Sequence, residues 1–260
     1  MSITRSSRLC ALTGALVLLA GCGGSSSDSA GGATASSSVP TTSSSVPTIS
    51  SSVPTASPSP TVTPATVVQL RKIVLQATDL PRSWKATPAE QDNDSSGQDK
   101  LMKCVGAKNT EEDQVATADS DDYVLGDATI SSSASSYKSQ SSVDSDVALL
   151  KSPKLTPCFT TLLKKELAAS LPEGASLGAV SVKFTPGPGS GPANVAGSGS
   201  ASVSLTAGED HVKVYINFVY LTGPLMEAEV YAENIGSPVP AAALQAAVKA
   251  VADRAAASTS

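Results

Sequence analysis

From residue 65 to 256 the hydrophobic positions recur first with helical and then with strand periods. Thr66 is placed to cap a first helix carrying Val67, Leu70, Ile73 and Val74 on one face. That helix is expected to end near Asp79-Leu80-Pro81, because the residue before a proline is biased away from helix. A short second helix around Gln98 to Val105 carries Cys104. Strand-like material follows at Tyr123 to Leu125 and at Ala128 to Tyr137, where Ile130, Ser132 and Ala134 share a face. Ser142 to Lys151 reads as helix, with Val147 and Leu150 on one side. Thr156 and Pro157 read as the cap and first residue of a helix through Ser170, which places Cys158 in its first turn.

The alternation is clearest towards the C-terminus. Val180, Val182 and Phe184 alternate, as do Ala201, Val203 and Leu205. Val212, Val214, Ile216, Phe218 and Tyr220 form the longest run, followed by Met226, Ala228, Val230 and Ala232. Gly208-Glu209 and Gly223-Pro224 sit where tight turns belong. The pattern predicts an antiparallel meander of four strands. Pro240 then opens a last helix that points Leu244, Ala247, Val248 and Val251 at the sheet. Helices gathered with such a meander predict an α+β, two-layer domain. The Gly/Pro/Ser-rich stretch from Pro186 to Ser200 reads as a long mobile connection or the rim of a site.

The N-terminus follows another rule. Arg5 and Arg8 precede a mostly apolar run, Leu9 to Ala20. A bilayer span needs about 20 apolar residues, so this run fits the core of a secretion signal instead. It ends in Leu19-Ala20-Gly21-Cys22, and there the chain resembles the bacterial lipoproteins, whose lipobox is Leu, two small residues and Cys. The resemblance implies a diacylglyceryl group on the Cys22 sulfur and cleavage before it. One acyl chain holds weakly, whereas two or more anchor stably. Gly23 follows the cysteine, so the aspartate that marks inner-membrane retention in two-membrane cells is missing. From Gly23 to about Pro64 the chain is nearly all Ser, Thr, Ala, Gly and Pro, and Ser-Ser-Ser-Val-Pro recurs at 36–40, 43–47 and 50–54. With so little apolar surface this segment cannot offset its ordering entropy. It reads as a tether averaging roughly 35 to 40 Å end to end, and its Ser/Thr-Pro composition suits O-glycosylation. The expected layout is a signal at 1–21, a lipidated cysteine and tether at 22–64, one domain at 65–256 and a disordered tail at 257–260.

Charge and cysteines narrow the picture. Removing Arg5 and Arg8 with the signal takes the formal charge from -5 to -7, which argues against nucleic acid, since such partners demand Lys and Arg. Cys10 leaves with the signal and Cys22 is lipidated. Cys104 and Cys158 remain, and an oxidising compartment makes them a disulfide. Closing that loop contributes about 4 kcal/mol on the chain-entropy account. The rival is a pair of free or metal-bound thiols, but one His and no Cys-x-x-Cys make zinc a poor fit. No second apolar stretch is long enough to span a membrane, and aromatic residues are only 3%, so the expected core is built on Val, Leu and Ala.

Four constellations invite a chemical reading. His211 follows Asp210, but adjacent strand residues point to opposite faces, so Asp210 cannot orient it and no Gly-x-Ser-x-Gly supplies a nucleophile. Asp92, Asp94, Ser96 and Gly97 mimic the start of a calcium loop, yet Lys103 stands where its closing Glu belongs. Asp119, Asp121 and Asp122 read as a solvated loop. Glu227, Glu229, Tyr231 and Glu233 line one face of the last strand and read as a wet outer face rather than an acid pair for glycoside hydrolysis. Lys213, Tyr215 and Asn217 occupy the polar face of the preceding strand. If the two faces coincide, Tyr215, Asn217 and Tyr231 make a polar-aromatic surface patch suited to carbohydrate or protein contact.

The general plan adds the lipobox, the tether, Leu80-Pro81, Trp84, two spaced cysteines, the meander and an Ala-rich closing helix. It resembles the small actinobacterial lipoproteins and, more distantly, the extracellular sensor domains of actinobacterial membrane serine/threonine kinases. Those domains usually carry two disulfides around a cleft, and here only one is possible, so no binding residue follows from the resemblance. The expectation is a lipid-anchored, non-enzymatic binding or sensor domain on the outer face of the cytoplasmic membrane, with no cofactor or metal. Its expected contacts are the membrane, through Cys22, and a cell-wall glycan, a lipid or an envelope protein. A lipid or glycolipid carrier with a cavity beside Phe184, Ile216 and Phe218 is the first alternative, and a cell-wall hydrolase the second.

Overall fold

The alternating runs become the long strands of a single antiparallel sheet. The computed structural model describes residues 63–89, 96–187 and 194–257. The signal, the lipobox, Cys22, nearly all of the tether, Asp92 and Asp94, and residues 258–260 lie outside these. In chain order the elements are α1 (Val67–Ile73), β1 (Lys85–Thr87), α2 (Ser96–Val105), a 3-10 turn (Glu111–Asp113), β2 (Gln114–Asp119), β3 (Asp122–Leu125), β4 (Ala128–Tyr137), α3 (Gln140–Leu150), α4 (Leu155–Ser170), β5 (Ala175–Pro186), β6 (Asn194–Ala207), β7 (Asp210–Gly223), β8 (Met226–Ile235) and α5 (Ala241–Ala257). The strand order is β1-β3-β4-β8-β7-β6-β5, and β2 pairs with the far end of β4. The fold is α+β, with the β5–β8 meander packed against helices.

Helices cover both faces of the sheet, each over a different half. Met226, Ala228, Val230 and Ala232 of β8 join Ile130 and Ala134 of β4 in a core with α1 and α5. Val214, Ile216 and Phe218 of β7 join Ala201 and Val203 of β6 in a second core with α2, α3 and α4. Alternate strand residues point to opposite faces, so these two cores lie on opposite sides. Within the second core Phe159 of α4 meets Phe184 and Phe218 at ring-centroid distances of 5.4 and 6.0 Å. The space beside Phe184, Ile216 and Phe218 that a carried lipid would need is therefore taken up by an aromatic ring.

Several boundaries move, each for a local reason. Thr66 does cap α1, with Gln69 completing a capping box, but α1 ends at Ile73 and leaves Val67 outside the core. Val74 turns extended, and the carbonyls of Ile73 and Val74 accept hydrogen bonds from Arg254. Helix α4 begins at Leu155, not after Thr156, so Pro157 sits in its first turn, where backbone N–H groups have no helical acceptor to lose. The segment Gln114–Asp119, unassigned from sequence, is strand β2. In α5 the fully sheltered residues are Ala243, Ala247, Val251 and Ala255, with Leu244 and Val248 at the margin. Residues 194–200 are strand rather than mobile connection. A Cβ on Gly199 would fall 1.6 Å from Cε2 of Phe218, so glycine lets that ring lie against β6. Cys104 of α2 and Cys158 of α4 are joined as a disulfide with Cα atoms 5.8 Å apart.

Candidate functional site

The β7–β8 hairpin decides which polar side chains meet. Its two-residue turn, Pro224-Leu225, pairs even-numbered residues of β7 with odd-numbered residues of β8. Phe218 thus faces Tyr231, and Asn217 faces Ala232. The expected patch is corrected here: Tyr231 shares a face with Phe218, while Tyr215 and Asn217 lie on the opposite side. Those two stay on a partly open, hydroxyl-bearing half-face beside Ser202 and Ser200, with Lys213 Nζ 4.9 Å from the Tyr215 ring centre. His211 is exposed on the same half-face and its Nδ1 lies 3.0 Å from Thr206 Oγ1. Asp119 and Asp122 close β2 and open β3, and Lys103 is exposed on α2.

The wet outer face expected of Glu227, Glu229, Tyr231 and Glu233 is not found: Glu229 and Glu233 are each only 8% exposed. The reason is position. Strand β8 is central, between β4 and β7, and α3 packs over β4, β6 and β8. Opposite Glu233, Tyr231, Glu229 and Glu227 in register stand Thr129, Ser131, Ser133 and Ser135 of β4. The result is a floor of carboxyl and hydroxyl groups between two apolar cores.

Hydrogen bonds organise part of this floor. Tyr137 donates its hydroxyl to Glu227 Oε2 at 3.0 Å, and Tyr231 donates to Glu233 Oε2 at 2.7 Å. Thr110 donates to Asp146 Oδ2 at 2.8 Å, which brings α3 into the cluster. Asp146 and Glu227 lie within hydrogen-bonding contact. Two carboxylates offer only acceptors, so that contact is a bond only while one of them keeps a proton. Among the described residues four buried side-chain atoms find no partner: Tyr220 Oη, Thr222 Oγ1, Glu227 Oε1 and Glu229 Oε2. A cavity of about 40 Å³ opens beside the first three, lined by Tyr137, Asp146, Tyr220, Thr222, Glu227 and Gln98 on its polar side, with Glu229 outside its lining. Met102, Val147, Leu149, Leu150, Ala196 and Leu221 form its apolar wall.

The electrostatics follow from burial without a counter-ion. Burial pushes the Glu229 carboxyl up to about 8. Asp146 rises to about 6, burial outweighing the bonds from Thr110 and Glu227. Glu227 stands well above the usual carboxylate range, through burial first and the Asp146 charge second. Glu233 rises too, again chiefly through burial, which its bond from Tyr231 only partly offsets.

Sequence reasoning singled out Glu227, Glu229, Tyr231 and Glu233 but read the glutamates as a wet outer face, and it missed Asp146, Tyr137, Tyr220 and Thr222 as site residues. A signal for Asp146 existed. It lies three residues after Val143 and four before Leu150, on the apolar stripe of α3, where a carboxylate needs a reason. Tyr220 and Thr222 likewise continue the inward alternation of Val214, Ile216 and Phe218.

No family model and no curated protein matches this chain. Among solved structures it is similar to the extracellular domain of PknH from Mycobacterium tuberculosis, with 9% identity over 74% of this chain and 97% of that one. The TM-score is 0.39, at which the likeness carries no argument about the site.

Proposed function

We propose that this chain is a lipoprotein of the cell envelope, cleaved before Cys22 and lipidated there. Its domain acts as a non-enzymatic binding module for a small polar ligand. The membrane attachment rests on Leu19-Ala20-Gly21-Cys22 and the apolar run before it. The binding role rests on one observation, the gathering of four unpartnered buried polar atoms on the Glu227–Glu229 floor. Folded proteins satisfy 90% or more of such groups, each orphan costing about 1–3 kcal/mol. A ligand or ordered water that bonds several at once recovers that cost. The acid pair here speaks against hydrolysis: inverting and retaining glycosidases hold their carboxyls about 5 to 9.5 Å apart, whereas Asp146 and Glu227 touch.

The test is a thermal-shift screen of the purified chain against amines, amino acids, sugars and cell-wall fragments. One class is expected to raise Tm saturably, as binding to the folded state alone must. Thr222→Val and Glu229→Gln should each abolish the shift. A screen in which no class stabilises the wild type removes the binding reading, and product release from peptidoglycan or glycoside substrates removes the non-enzymatic one.

A further inference from the structure

We propose that the cavity between α3 and the β7–β8 hairpin takes a primary ammonium group, with the alkyl stem of its ligand lying along the apolar wall. This rests on the binding reading above and narrows it to one chemical class. The donor and acceptor count points there. Tyr137 occupies Oε2 of Glu227 and leaves Oε1 bare, and Tyr220 Oη, on the same cavity, has no partner either. Thr222 is only 3% exposed and its Oγ1 has no partner. Three oxygens able to accept, Glu227 Oε1, Thr222 Oγ1 and Tyr220 Oη, thus line one cavity, and an ammonium group brings three donors and no acceptor.

Charge points the same way. Two carboxyls in contact repel unless a proton or a cation lies between them. Among the described residues no Lys, Arg or His forms an ion pair with either Asp146 or Glu227. Size then selects among cations. A cavity of about 40 Å³ holds one or two water-sized groups, which admits an ammonium head and excludes a trimethylated one. A hard divalent metal wants six or more oxygen ligands, and no three His, Cys, Asp or Glu gather to hold one among the described residues. Met102, Val147, Leu150 and Leu221 supply an apolar wall for methylenes, which a metal or a sugar would not use.

The experiment is calorimetric titration of the full chain, solubilised in detergent, with n-pentylamine, 1-pentanol and pentyltrimethylammonium at neutral pH. Pentylamine should saturate a single site, and the other two should bind at least about tenfold more weakly, as expected when charge-assisted bonds are lost. Glu227→Gln and Asp146→Asn should each weaken pentylamine about 10- to 100-fold. Glu209→Gln, on the exposed β6–β7 turn, should leave it unchanged. Thr222→Val, close in shape to the native residue, is the fallback if either acid variant fails to fold, and it should weaken binding too. Equal binding of pentanol, or native affinity in the folded acid variants, overturns the ammonium assignment. If pentylamine gives no heat while a sugar or cell-wall fragment binds and Glu229→Gln abolishes that binding, the assignment falls but the site stands. If nothing binds, both fall.

Discussion

One hydrogen atom at Gly199 decides how the second core closes. Any Cβ there meets the Phe218 ring at 1.6 Å from Cε2, and Phe218 is itself wedged between Phe159 and Phe184. Gly199→Ala should therefore cost about 1–3 kcal/mol by overpacking, read as a lower urea midpoint with an unchanged slope. A variant as stable as wild type would mean the ring has room to move. This role was illegible in sequence, where a Gly/Ser-rich stretch reads as a flexible connection, because the constraint comes from a side chain paired opposite it on the next strand. Glu229 was half legible: alternation assigned its face, but not what covers that face. Its burial has a thermodynamic consequence. A carboxyl raised from 4.5 to about 8 keeps its proton in the folded state where the unfolded chain has lost it. The stability it contributes is complete below about pH 4.5 and is lost progressively as the pH rises to about 8. Asp146 adds a loss of the same sign between 3.8 and about 6. At about 1.4 kcal/mol per unit the total is several kcal/mol. Tm should thus fall from pH 5 to pH 8.5, and Glu229→Gln should raise it at pH 8.5 but not at pH 4.5. Equal Tm values for wild type and variant at pH 8.5 would show that Glu229 ionises without cost.

Among the elements, α1 shows where local rules stop. Thr66 and Gln69 form its N-terminus from neighbouring residues alone, and sequence located that end. Its C-terminus is set from the other end of the chain. Arg254 of α5 donates Nε to the Ile73 carbonyl at 3.1 Å and Nη2 to the Val74 carbonyl at 2.9 Å. The same guanidinium grips both oxygens of Asp79 at 2.9 and 2.7 Å. Burial pushes the Asp79 carboxyl up, but the Arg254 bond, the Gln76 amide and the Arg254 charge together hold it below the usual range. No local pattern forecasts a clamp spanning 180 positions, so the helix was expected to run on to Asp79. Arg254→Ala should lose about 2–3 kcal/mol, since charge-assisted bonds vanish and the Ile73 carbonyl loses its Arg254 donor, while Val74 keeps the Gln76 amide. Arg254→Lys should recover only part of it, lacking the planar fork. If the lysine variant matches wild type in chemical denaturation, the clamp is simple charge. The opposite sheet edge is guarded by its own sequence: β5 carries a bulge between Leu177 and Val180, an outward Lys183 and Pro186 at its end. Such features discourage pairing with a second sheet.

Across the whole molecule, the two cores leave the described residues with only scattered exposed apolar side chains. The exposed large hydrophobic residues among those described are Val67, Val68, Val115, Leu125 and Val212, spread over four elements. No described helix is long and apolar enough to cross a bilayer. Small patches of this kind are ordinary on a folded surface and do not hold a protein to lipid. The proposed attachment is assigned to Cys22, where two or more acyl chains together exceed the marginal binding of one. Replacing that sulfur with oxygen should have an all-or-none effect. In cells making Cys22→Ser, the protein should move from the membrane fraction to the medium, or stay unprocessed at its higher mass. Wild type should need detergent for extraction and gain the mass of a diacylglyceryl group on its N-terminal peptide. A Cys22→Ser protein that still sediments with membranes at the processed mass would mean that the domain itself, against the character of its surface, binds the membrane or a partner there. The domain's own stability should not change, because the Cys104–Cys158 disulfide and both cores lie within residues 63–257. Equal melting curves for the released and extracted forms therefore complete the test, separating loss of the anchor from loss of the fold.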